Sequence, residues 1–320
     1  MSHLLKRYLE RRYIDRRDKL VSAIFGKLGA YLRSRTVWKR LNNKAYHADH
    51  EGDPKTIRIQ SYAGNNPTVK SVQNFLKKFR HPAIEAAIVQ GSISTGQENA
   101  FSDFDGILLI DLKKITSRKN LVQLHTIVHE SAHIMKKQDV LQHHGWSILF
   151  KQELKRYPDS SLPALLLSKG KVIFPETELD LQIIIDPDHQ DYNTLYENIC
   201  NGIYRRLNHP ETFKKYYYTK LLISECLLLP SAFIQAIERK PIWKGDSFSK
   251  IEVYLNKEHL TTLSRLSDIR DNWHIYFNGK RKNEPVNTKL SALLMNELSE
   301  PIKDLIDYLD KKLEIQGSRR

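Results

Sequence analysis

The chain has 320 residues, with 51 Lys and Arg against 37 Asp and Glu and a formal net charge of +14 at pH 7. That length suggests two domains, and 40% hydrophobic with 28% charged residues is too apolar for a disordered chain. Only two cysteines occur, Cys200 and Cys226, which excludes a disulfide framework and a cysteine-based zinc site.

Uninterrupted apolar runs such as 106–110 and 183–185 fall far short of the ~20 residues of a transmembrane helix. Charge begins at Lys6, so no apolar signal core is present and the expected location is the cytoplasm. Residues 1–40 hold twelve basic residues against three acidic ones. Their apolar residues, among them Leu5, Leu9, Ile24, Leu28 and Leu32, recur at three- and four-residue steps. That period predicts amphipathic helices, two in series with a break between Gly26 and Gly29. Such helices can lie on nucleic-acid phosphates, on an anionic membrane surface, or on the body of the protein itself. Segment 1–60 is therefore expected to be a basic helical extension.

Residues 41–68 are polar, and their Gly, Asn and Pro clusters read as loops. Thr68 is the expected N-cap of a helix running to Phe79 and stopped by His81 and Pro82. From Ile84 to about Ile185 short apolar runs alternate with helical patterns, the mark of strands and helices in turn. From Tyr192 onward the pattern is almost wholly helical, interrupted at Pro210, Pro230, Pro241, Pro285 and Pro301. Residues 186–191 read as a linker. The expected fold is α/β (α+β): a small mixed sheet over 61–188 and a helical domain over 189–320.

The chemistry concentrates between Ala87 and Asp111. Ile88 and Val89 run straight into Gly91-Ser92, and ten residues later Asp103-Phe104-Asp105 precedes the apolar strand 107–110. On a strand, Asp103 and Asp105 would share one face, about 6.6–6.8 Å apart along the chain. Two carboxylates on one face suit Mg2+, which takes oxygen ligands and shares them with substrate phosphates. A glycine before Ser92 lets the backbone turn closely against a phosphate.

This order and spacing resembles the apolar–Gly–Ser, spacer, Asp–apolar–Asp pattern of the nucleotidyltransferase superfamily, the polymerase-beta-like and kanamycin nucleotidyltransferase-like proteins. The resemblance rests on about 25 residues. It implies a nucleotidyltransferase palm in which Gly91 and Ser92 hold the phosphates of an NTP. Asp103 and Asp105 would hold Mg2+, with Mn2+ as a substitute, while an acceptor hydroxyl attacks and pyrophosphate leaves. The acceptor, a small molecule, a protein or an RNA, is open. The family also uses a third carboxylate on a neighbouring strand, and Asp180 in Leu179-Asp180-Leu181 is the first candidate.

Between these lies Gln142-His143-His144-Gly145. Adjacent histidines on a strand face opposite sides, so one of them, assigned to His144, could reach the site as a base or phosphate contact. His125, His129 and His133 fall at four-residue steps, and His129-Glu130-Ser131-Ala132-His133 satisfies the His-Glu-x-x-His order of zinc metalloproteases. That is the rival enzyme reading. The non-enzyme alternative is a basic nucleic-acid-binding protein with an inactive nucleotidyltransferase fold. Lys214, Lys215 and Lys220, interleaved with Tyr216, Tyr217 and Tyr218, could offer charge and stacking to such a partner.

Overall fold

The computed structural model describes residues 53–317, apart from 143–144, 161, 186–189, 210, 278 and 280–283. The expected helices of 1–40, His143 and His144, and most of the expected linker lie outside the described residues. The described chain folds as a mixed sheet followed by a helical half. In order come β1 (Lys55–Ser61), α1 (Pro67–Lys78), β2 (Ile84–Val89), α2 (Gly91–Thr95), β3 (Gly106–Ile110) and α3 (Arg118–Met135). They continue with β4 (Ser147–Phe150), α4 (Ala164–Lys169), β5 (Lys171–Phe174) and β6 (Leu179–Ile183). The helical half holds α5 (Tyr192–Leu207), α6 (Tyr216–Cys226), α7 (Leu229–Glu238), α8 (Lys244–Ile251) and α9 (Lys257–Asp271). It ends with α10 (Trp273–Tyr276), α11 (Thr288–Ala292) and α12 (Ser299–Gly317).

The six strands lie in the order β4-β3-β2-β5-β1-β6. β2 is antiparallel to both β3 and β5, β3 is parallel to β4, β1 is parallel to β5, and β6 closes the other edge antiparallel to β1. The strand β1 therefore belongs to the sheet, although it falls almost wholly in the segment read from composition as basic helices. β3 is buried along its whole length, so its residues read as one apolar run and supply both faces. Leu108 and Ile110 join Val69, Val72, Leu76, Leu124 and Ile127 of α1 and α3 in one core, while Ile107 and Leu109 join Ile59, Leu167 and Leu181 in another.

The helix starts follow local chemistry. Asn66, not Thr68, caps α1: its side chain accepts from the Thr68 and Val69 amides at 2.9 and 3.1 Å. Pro67 then takes the first helical position, where the missing N–H costs nothing. Pro230 likewise begins its helix, α7, rather than interrupting one, whereas Pro301 lies within a continuous helical run and follows a π-helical turn over Leu293–Leu298.

The helical core gathers Ile203, Leu222, Phe233, Leu266, Trp273 and Ile306. Phe101 and Leu141, from the loops before β3 and β4, are packed into the same cluster. Two residues of the sheet half thus reach into the helical core, whereas the two cores flanking the sheet draw only on residues before 186. The stretch Tyr216–Glu238 has the length and composition to cross a membrane, yet most of it is buried inside the protein. It consists of α6 and α7, and it passes unnoticed as a long apolar run because Lys220, Ser224 and Glu225 interrupt it.

Candidate active site

β2 ends at Val89, and the chain turns at Gly91 into the short helix α2. Gly91 has φ +66°, a left-handed conformation, and a Cβ there would lie 2.6 Å from Asp105 Oδ2. The neighbouring Gln90 amide donates to the Asp105 carbonyl at 2.7 Å. The glycine–serine turn and the Asp-Phe-Asp sequence therefore meet at one end of the sheet. A side chain at position 91 would strain the backbone and displace the carboxylate. Gly91→Ala is expected to lose about 1–2 kcal/mol from the backbone conformation alone, with a further loss of any function that needs Asp105 in place. Chemical denaturation beside an activity assay measures both.

One local expectation is corrected. Strand β3 begins at Gly106, so Asp103 and Asp105 stand in the loop before it, and strand alternation does not set their geometry. Instead a side chain clamps them. The Gln142 amide accepts from Phe104 N and donates to Phe104 O, both at 3.1 Å. This holds the residue between the two acids as a neighbouring strand would, and Phe104 is completely buried. Trp146 closes the same corner. Its ring lies so close to Gly106 that a Cβ there would sit 2.6 Å from Trp146 Cζ3, and its indole N–H donates to Ser131 Oγ of α3 at 2.8 Å.

The other half of the site comes from the helices. Lys220 of α6, only 1% exposed, donates from Nζ to Asp103 Oδ1 and, at 2.6 Å, to Asp139 Oδ2. The same ammonium stands 4.8 Å from the centre of the Phe101 ring, a cation–π contact. Asp139 is itself buried, and burial pushes its carboxyl above the usual range while Lys220 pulls it back down. Lys244, at the start of α8, sits beside Trp243, whose ring carries Lys169 at 4.5 Å. Burial and the nearby Arg270 guanidinium lower the Lys244 ammonium to about 8, against the opposing pull of Asp105 and Asp103. The carboxylates at the sheet end are thus faced by basic groups from α6 and α8.

Sequence reading missed Lys220, Asp139 and Lys244. Only Lys220 carried a signal: a lysine in an otherwise apolar helix is rarely buried without a carboxylate partner. The sequence reading groups it with Lys214 and Lys215 as charge offered to a nucleic-acid partner. Lys215 does face outward, paired with Glu211 at 2.5 Å, but Tyr216 is buried and donates to the Tyr276 carbonyl.

Asp180 is not brought to this site. It lies on edge strand β6, with β2, β5 and β1 between it and β3, a separation of about 19 Å at ~4.8 Å per strand. Its carboxylate takes two bonds from Arg58, at 3.0 and 3.3 Å, and both side chains are exposed. It is a surface ion pair across β1 and β6, not a third ligand. His144 lies outside the described residues.

Asp103 and Asp105 offer oxygen donors only, which fits Mg2+. A carboxylate has about four acceptor positions, so the Lys220 bond to Asp103 Oδ1 does not exhaust them. Among the described residues no group of three His, Cys, Asp or Glu side chains is placed to hold a metal. Two carboxylates suffice for Mg2+, which keeps several waters and completes its shell with substrate phosphates. The metalloprotease motif fares differently. His129 and His133 stand on the exposed face of α3, and no described third ligand joins them, so a catalytic zinc lacks its set. The chain matches no protein-family model and no curated protein.

Proposed function

We propose that this chain is a Mg2+-dependent nucleotidyltransferase, which moves an NMP from an NTP to an acceptor hydroxyl with release of pyrophosphate. The observation that carries this reading is the contact of Gly91, at positive φ, with the Asp105 carboxylate. A turn suited to phosphate and a carboxylate pair suited to a divalent cation come from separate stretches of chain and meet.

Gly91 and Ser92 bind the NTP phosphates, the glycine because a backbone without Cβ permits close approach. Asp103 and Asp105 hold Mg2+ or Mn2+, which when bound offsets the charge gathering on the phosphates. Lys220 fixes the Asp103 carboxylate from behind and orders the loop that carries it. Lys244 faces the carboxylates from the helical half and offers positive charge to the triphosphate. The helical half, sharing a core with the Asp103 loop through Phe101, forms the opposite wall. Nucleic-acid contact through residues 1–40 rests on residues outside those described.

The test uses the full chain with Mg2+, each of the four NTPs labelled at the α-phosphate, and cell extract as acceptor. Label transfer with matching pyrophosphate release is expected, and both should vanish in Asp103→Ala/Asp105→Ala. If no NTP gives transfer and calorimetry detects no Mg2+-dependent NTP binding, the reading fails.

Lys244 gives a pH test. Its ammonium sits at about 8 in the free protein, below its ordinary 10.5. A bound triphosphate favours the charged form, so binding raises this value, and the gain exists only where the ammonium is protonated. Affinity should therefore be full below about pH 8 and fall as pH rises, by roughly tenfold between about pH 7.5 and 9.5. In Lys244→Met the affinity should be weaker and flat over that range. A parent protein with a flat profile would remove Lys244 from the phosphate site.

A further inference from the structure

The His129-Glu130-Ser131-Ala132-His133 string has no place in nucleotidyl transfer, yet its histidines are arranged. α3 buries Leu121, Leu124, Ile127, Ser131 and Met135, which leaves residues 129 and 133 on the outward face one turn apart. His129 Nε2 and His133 Nε2 approach to 3.0 Å. Their rings are nearly perpendicular, at 88°, with centroids 4.5 Å apart. One turn earlier His125 stacks on His129, 6.2 Å away and only 7° from parallel, which steadies the first ring.

We propose that His129 and His133 form a two-point chelate for a late first-row divalent transition ion, Cu2+ or Ni2+, on the exposed face of α3. The spacing selects the metal. An ion about 2.0–2.1 Å from both nitrogens would see them at an angle of about 90–100°, given their 3.0 Å separation. Adjacent positions of a square-planar or tetragonal ion subtend about 90°, the geometry of Cu2+ and Ni2+ with nitrogen and oxygen ligands. A tetrahedral Zn2+ needs the nitrogens about 3.3 Å apart, which the helix would have to open to supply. Two nitrogens converging without an oxygen donor between them also suit imidazole-preferring metals and not Mg2+. Water fills the remaining positions. The site is independent of the carboxylate pair and of the reading built on it.

The test titrates untagged full chain with NiCl2 by calorimetry and with CuCl2 by electron paramagnetic resonance. One equivalent should bind ahead of all others, and the Cu2+ spectrum should carry nitrogen hyperfine structure. Removing one arm of a chelate forfeits the linkage between its two contacts, so that equivalent should weaken about 10²-fold in His129→Ala and in His133→Ala. Both positions are exposed, and circular dichroism verifies that the variants are folded. His274→Ala, another exposed histidine, and Asp103→Ala/Asp105→Ala should keep the equivalent unchanged. Titrations of His129→Ala and His133→Ala that match the parent would overturn the proposal, as would loss of the equivalent in the aspartate variant.

Discussion

Asp105→Asn is expected to lower nucleotidyl transfer by about 10²–10³-fold or more, the scale set by removing one preorganised charge-stabilising group from a reaction centre. Asparagine keeps the shape beside Gly91 and removes the charge, so the variant tests chemistry rather than folding. The Gln90 amide still has its backbone acceptor at position 105, because that bond goes to the carbonyl and not the side chain. Asp103 is a poorer choice for a single substitution, since its carboxylate also accepts from Lys220 and its loss disturbs a buried charge. Asp105→Asn has a second consequence. One of the two carboxylates that raise the Lys244 ammonium disappears, so the alkaline loss of NTP affinity should begin at lower pH than in the parent. Steady-state kinetics with the acceptor in hand, and binding measured against pH, read both effects. A variant with undiminished transfer would move the metal site elsewhere.

Lys220→Met should be the most destabilising of the substitutions named above. The side chain is 1% exposed and bonds two carboxylates that are themselves 11% and 6% exposed. Replacing it leaves both buried without their cation, a loss of about 3–5 kcal/mol, or a Tm lower by on the order of 10 °C. Repulsion between Asp103 and Asp139 adds to this, since each raises the other's proton affinity as soon as the ammonium between them is gone. Lys220→Met/Asp139→Asn should recover a large part of the loss, because the second change removes one of the stranded charges. Denaturant unfolding of the two single variants and the double variant gives the coupling directly. A double variant no more stable than Lys220→Met would show that the loss comes from packing of the methylene stem and not from charge. Lys220 also joins the two halves of the molecule, since it leaves α6 and ends at the loop before β3. Its loss should therefore loosen the site before it unfolds the protein, with transfer failing at lower temperature than the far-ultraviolet dichroism.

Much of the local order was legible in the sequence alone. The run 107–110 is apolar at every position because β3 is covered on both faces, and the three- and four-residue steps of Val69, Val72 and Leu76 make α1 a one-faced helix. Gly91, Ser92, Asp103 and Asp105 could be singled out because the chemistry they suit needs those side chains in that order, and a spacer of ten residues is enough for a turn, a short helix and a return. Each of these properties is set within about twenty-five residues of chain. Residue type alone makes Thr68 the cap of α1, whereas the proline at 67 pins the start two positions earlier and hands the cap to Asn66.

What only the tertiary structure decided is which distant groups face that loop. Asp180 has the right residue type between the right neighbours, but strand order is a global property, and it sets β6 at the far edge beside Arg58. Lys220 lies 117 residues beyond Asp103, and its apolar helical surroundings mark it for burial without naming the carboxylates it meets. Burial makes the difference, because in a low-dielectric interior an ammonium must find carboxylates and a carboxylate must find a cation. That requirement drew Lys220 and Asp139 to Asp103, and no pattern of spacing along one chain could express it.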